Sequence, residues 1–178
     1  MENMPPQHTS RREHLFQIGL ALSAIPLAAQ ATFTFFDPAT ATEIEALAAE
    51  IIPADETPGA KEAGVIYFID RALSGFESEK RRIYKSGLAV AQENRKLLFP
   101  ESTSIATLTE EQRHKLVESI ETTEFFQTLR EHTAMSFFGN PEYGGNKNKV
   151  GWKLIGFEDS HMFTPPFGSY DKRSDDKQ

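Results

Sequence analysis

Glu131 and His132 stand side by side, and a carboxylate beside an imidazole is the strongest pair in this sequence for general acid–base work. An independent hydrolase using Glu131 and His132 is therefore one candidate function. The other imidazoles, His8, His14, His114 and His161, are scattered. No His-Glu-x-x-His occurs and no two His share a helix face at ligand spacing, so no zinc site is expected. Ser169, in Phe167-Gly168-Ser169-Tyr170, lacks the setting of a nucleophile elbow. Gly59-Ala60-Lys61-Glu62-Ala63-Gly64 has the outline of a dinucleotide fingerprint but not its middle Gly, and no strand precedes it. The simpler reading is a helix start whose small residues let another element approach closely. Asp70-Arg71 reads as a salt bridge or a helix-end charge. The chain has no Cys, which removes disulfides, thiol nucleophiles, thiolate metal sites and covalently attached haem.

Recognition chemistry is concentrated in one stretch. Phe137-Phe138-Gly139-Asn140-Pro141-Glu142-Tyr143-Gly144-Gly145-Asn146 runs on to Gly151-Trp152-Lys153-Leu154-Ile155-Gly156-Phe157 and contains the only Trp. Lys147, Lys149 and Lys153 add a local cationic cluster. Aromatic anchors with a charged rim suit an interface. The same residues also suit a cap, with Trp152 and Phe157 folded back over the helices and the lysines solvated. Composition leaves both readings open. A free module binding a small ligand through Tyr143 and Trp152 is a further candidate.

The elements that must position this stretch are helical. Thr40-x-x-Glu43 reads as a capping box, with Ile44, Leu47, Ala48 and Ile51 following at helical spacing and Pro53 ending the helix. A second helix is expected from about Ala60. Its stripe is Val65, Phe68, Ile69 and Ala72, broadened by Ile66 and Leu73, and Ser74-Gly75 closes it. A third spans about Glu77 to Leu98, weakened at Gly87. Thr109-x-x-Gln112 is a second capping box, opening a short helix that Glu121-Thr122-Thr123 interrupts. The last runs from about Glu124 to Phe138, and Val150 to Phe157 has room for a short strand. The expected class is all-α, a compact bundle of about four to six helices with a long irregular C-terminal segment.

A 178-residue chain with 14 Phe and 39% hydrophobic residues can bury one core. Its net charge of -7 argues against nucleic acid, which requires a basic face. Ser10-Arg11-Arg12 precedes an apolar run from Ile18 to Ala31, too short to span a bilayer and suited to a signal segment. Ala29-Gln30-Ala31 offers a small-x-small cleavage site, and no Lys or Arg follows Arg12 until Lys61. The paired arginines suggest the twin-arginine export route, although His14-Leu15-Phe16-Gln17 after Glu13 departs from its usual pattern. The expected organisation is a twin-arginine-type signal over 1–31, a linker over 32–42 whose Phe33, Phe35 and Phe36 pack as an arm, a helical domain over 43–171, and a frayed tail over 172–178.

Three stretches together carry a family resemblance. They are Ile51-Ile52-Pro53-Ala54-Asp55-Glu56-Thr57-Pro58-Gly59-Ala60-Lys61-Glu62-Ala63-Gly64-Val65 followed by Phe68-Ile69-Asp70-Arg71, then Phe137 to Asn146, then Gly151 to Phe157. In order and spacing they resemble the gluconate 2-dehydrogenase subunit 3 family, over roughly residues 43–171. The tail from His161 to Tyr170 is less like it. The resemblance implies a small subunit that carries no cofactor and is not an enzyme by itself. Its partner would be a large subunit that holds FAD and oxidises a sugar, sugar acid or alcohol. A separate cytochrome c subunit often takes the electrons. The small subunit would bind the large one, aid its maturation, and supply Arg11 and Arg12 to the twin-arginine translocase. The complex would then reside in the periplasm, at the inner membrane. On this reading Pro141, Tyr143, Gly144, Gly145, Asn146 and Trp152 face the partner.

Overall fold

The computed structural model describes residues 32–160. The signal segment with Arg11 and Arg12, the tail after 160, and His8, His14, His161 and Ser169 lie outside them. Among the described residues there are six α-helices and no strand, in accord with the all-α expectation.

Helix α1 (Pro38–Ile51) starts ahead of the expected capping box. Asp37 is its N-cap, accepting N–H groups from Ala39 and Thr40 at 3.0 Å each, with Pro38 at the first helical position. An Asp cap followed by Pro is the stronger start, because Pro has no N–H to leave orphaned and a preset φ. Thr40 is thus inside the helix, and Glu43 turns inward instead of capping. Its Oε2 accepts from Gln92 Nε2 at 2.6 Å, and its Oε1 accepts from Ser104 Oγ at 3.0 Å and Ile105 N–H at 3.2 Å.

Residues 60–64 form turns, and α2 (Val65–Ser74) begins only after Gly64, whose φ of +68° breaks any earlier helix. Both sides of α2 are covered except at Tyr67 and Arg71. A 3₁₀ turn, Ser78–Lys80, leads into α3 (Arg81–Leu98). Gly87 does not break α3. A Cβ there would lie 2.1 Å from Phe125 Cβ, so the glycine is the notch into which that ring fits. Helix α4 (Glu110–Glu118) carries the expected Thr109/Gln112 capping box, and α5 (Glu124–Phe138) starts on Thr123 as N-cap.

Ile44, Leu47, Ile66, Ile69, Leu73, Leu116, Leu129 and Phe137 are fully buried in one cluster drawn from α1, α2, α4 and α5. Each such side chain contributes about 1.5–3 kcal/mol. The stretch from Val150 is not a strand: α6 (Val150–Leu154) is a short helix. Its alternating Val150, Trp152 and Leu154 have no neighbouring strand to pair with, and the Gly151 N–H is instead taken up by the side chain of Asn146 at 2.8 Å. No described helix is long and apolar enough to cross a membrane.

Candidate functional site

The acid–base pair is not assembled for catalysis. Helix α5 turns Glu131 outward and His132 fully inward, at 0% exposure. His132 stacks on Tyr84 with ring centroids 5.7 Å apart, and the Tyr84 hydroxyl lies 2.9 Å from His132 Nδ1. On the other side, His132 Nε2 meets Glu77 Oε2, while Lys80 Nζ donates to Glu77 Oε1 at 2.9 Å. Lys80 Nζ also lies 3.4 Å from His132 Nε2. With the His132 pKa lowered, the proton arrangement in keeping with it runs through the neutral ring. The Tyr84 O–H donates to Nδ1, and Nε2–H donates to Glu77. That arrangement requires a neutral imidazole.

Burial lowers the His132 pKa, and the Lys80 charge lowers it further, against the opposing pull of Glu77 and Glu131. Burial raises Glu77, but the Lys80 hydrogen bond, the Lys80 charge and the His132 hydrogen bond outweigh it and hold the carboxyl below its ordinary value. Burial, with the Glu77 charge adding to it, keeps the Tyr84 phenol protonated. The set is a buried polar clasp joining the 77–80 turn, α3 and α5. A cleft of about 240 Å³ beside Phe35, Phe36 and Leu88 touches Tyr84 but is not lined by His132.

The stretch after α5 is built from turns. Asn140 Oδ1 accepts the Glu142 N–H at 3.0 Å and opens the turn Pro141–Tyr143. Gly145 lies so close to α5 that a Cβ would be 1.9 Å from Ser136 Oγ, and one on Gly151 would be 1.9 Å from the Phe137 carbonyl oxygen. Asn146, at 0% exposure, donates Nδ2–H to the Gly139 carbonyl at 2.8 Å. The Lys147 N–H donates to the Ala63 carbonyl at 2.9 Å, which is the close approach that the small residues at 59–64 allow. Arg71 Nη1 donates to the Glu142 carbonyl at 2.7 Å, and Trp152 Nε1 to that of Phe138 at 2.8 Å.

The stretch therefore has two sides. Gly145 and Asn146 are buried. They were expected at the interface, yet they hold the loop to α5. Trp152 is half-buried and clasped by Phe157 at 4.9 Å between ring centroids. Pro141 and Gly144 are partly exposed. Tyr143 is 60% exposed and Ile155 59%, and Leu154, Phe138 and Phe157 are also open. Lys149 pairs with Asp159 at 2.7 Å, whereas Lys147 and Lys153 are exposed.

Asp70 and Arg71 do not pair with each other. Thr34, Phe35 and Phe36 donate their backbone N–H groups to the Asp70 carboxylate at 2.7, 2.9 and 2.9 Å. The expected arm is thus fastened to α2, with Phe33 stacked on Tyr67 at 5.4 Å and Arg81 5.5 Å from the centre of the Phe35 ring. The sequence held a clue to Asp70: it falls between Ile66 and Leu73 on the apolar stripe, where a carboxylate needs donors. His114, by contrast, is exposed and lies 3.2 Å from Glu50. Among the described residues no group of three or more His, Asp or Glu converges as a metal site.

These features define an all-α unit in which buried Glu43, Asp70, His132 and Asn146 join its elements and whose loop after α5 turns an aromatic side outward. A model of the family described as gluconate 2-dehydrogenase subunit 3 matches residues 38–159, and the chain belongs to that family. It is thereby an accessory-subunit type associated with a dehydrogenase complex. No curated protein and no solved structure matches it.

The clasp has a pH signature. His132 is neutral when folded and its pKa is lowered, so the unfolded chain binds the proton first, near pH ~6.5. Stability is full above that value and is lost as pH falls through the range below it; the lowered Glu77 extends the loss to more acidic pH. Urea midpoints should fall between pH 7.5 and 5.5 in the natural chain and change less in His132→Gln. Equal slopes in the two would remove His132 from the account.

Proposed function

We propose that this chain is the non-catalytic small subunit of a flavin-dependent dehydrogenase acting on CH–OH donors such as a sugar, sugar acid or alcohol. It binds and stabilises a large subunit that carries FAD, and it supplies the complex with a twin-arginine export signal through Arg11 and Arg12. The complex resides in the periplasm at the inner membrane, where a cytochrome c subunit takes the electrons. The observation that carries this reading is the family match over residues 38–159. The exposed Tyr143, Ile155 and Phe157, supported from beneath by buried glycines and Asn146, favour a partner-binding role. The leader-like residues 10–31 favour export.

Tyr143→Ala combined with Ile155→Ala removes two exposed side chains and leaves Asn146 and Trp152 in place. The double variant should melt at the temperature of the natural chain yet bind the large subunit at least tenfold more weakly, a loss of about 1.4 kcal/mol or more. Unchanged affinity would move the interface elsewhere. Replacing Arg11 and Arg12 by Lys should strand dehydrogenase activity in the cytoplasmic fraction; undiminished periplasmic activity would end the export role.

A further inference from the structure

The outer side of α2 joins two segments that the sequence holds far apart. Asp70 fastens residues 34–36, and its neighbour Arg71 fastens the Glu142 carbonyl. Between them, the Tyr67 ring carries Phe33 stacked on it within 13° of parallel. Gly144 lies against the same residue: a Cβ there would be 3.3 Å from Tyr67 C and from Phe68 N, and only glycine accepts its φ of +112°. Phe33, Tyr67, Gly144, Tyr143 and Arg71 thus form one continuous surface, with Tyr67 40% and Tyr143 60% exposed. Phe33 comes two residues after the expected cleavage site at Ala31.

We infer that this α2-centred surface, arm included, is a single docking site for the large subunit. The peptide joining the leader to the helical unit is then covered when the complex forms. The inference rests on the reading of this chain as the small subunit of such a complex. Tyr and Arg on one surface are the residue types that anchor interfaces. The family match selects the occupant, since a chain of this type associates with a dehydrogenase complex. The exposed Arg71, Glu142 and Lys147 give the aromatic centre a mixed polar rim, the composition of a surface between different subunits.

The absence of Cys permits a direct test. Single cysteines are introduced by Thr34→Cys, Tyr67→Cys or Tyr143→Cys, with Leu97→Cys on the exposed side of α3 as reference. Each full-length variant is reacted with a maleimide dye, alone and in complex with the large subunit, and labelling is read on the small-subunit band. The expected result is labelling at positions 34, 67 and 143 slowed at least tenfold by the complex, with position 97 within twofold of its free rate. Thr34→Cys is the decisive variant, because only the backbone of Thr34 is used in the fold. Protection at 143 but not at 34 and 67 overturns the inference and leaves the subunit reading intact. Failure of every variant and of the natural chain to form a complex overturns both. Slow labelling in the free chain that depends on its concentration would assign the surface to a second copy and overturn the inference.

Discussion

A carboxylate in the middle of an apolar helix governs much of this structure. Asp70 is 5% exposed on α2, and its three donors are backbone N–H groups of an arm that has no regular structure of its own. Ordering those three residues costs about 1–2 kcal/mol each. Hydrogen bonds to a charged acceptor return about 1.5–3 kcal/mol each. On these figures the bonds outweigh the ordering cost by about 2 kcal/mol, and burial of Phe36 against Tyr84 favours the docked arm further. With the arm in place, the carboxylate is satisfied. Without it, the carboxylate loses those three donors.

The same helix holds the loop after α5, and there the constraint is conformational. Asn146, Asn148 and Lys149 all have φ near +50°, a region that costs an L-residue about 1–2 kcal/mol. What holds them is specific. Asn146 ties the start of the loop to Gly139 and its end to Gly151, and two glycines admit α5 at distances no side chain would permit. The loop is therefore set before any partner arrives, which lowers the ordering cost of binding. Fold and proposed role meet at this point: the buried side of the loop is shaped so that Tyr143, Leu154 and Ile155 stay outward.

Much of this was legible in the sequence, for reasons that differ by residue. Helical spacing of apolar residues gave the all-α class, and Thr109 with Gln112 marked a helix start because both halves of that box are local. Thr40 with Glu43 has the same pattern, but Asp37-Pro38 upstream competes better and Glu43 is drawn off to residues 92, 104 and 105. Gly87 looked like a weakness until Phe125 is set against it. The short strand expected within 150–157 failed because a strand needs a partner that local pattern cannot supply. His132 looked catalytic beside Glu131, whereas its real partners, Glu77 and Tyr84, lie 55 and 48 residues away. Gly145 and Asn146 lie on the buried side of their loop, packed on α5. Contacts distant in sequence decided Glu43, Gly87 and His132, and local spacing carries no record of them.

The proposed role makes this chain one part of a flavin enzyme, with its exposed aromatics answering to another subunit. Isolating the natural full-length chain through an affinity tag from cells that also make the dehydrogenase tests that most directly. The eluate is then examined by absorbance and by denaturing gel. The account predicts a second, larger polypeptide in fixed proportion to this chain and a flavin spectrum that travels with it. A chain that elutes alone and colourless, or that turns over substrate unaided, would contradict it.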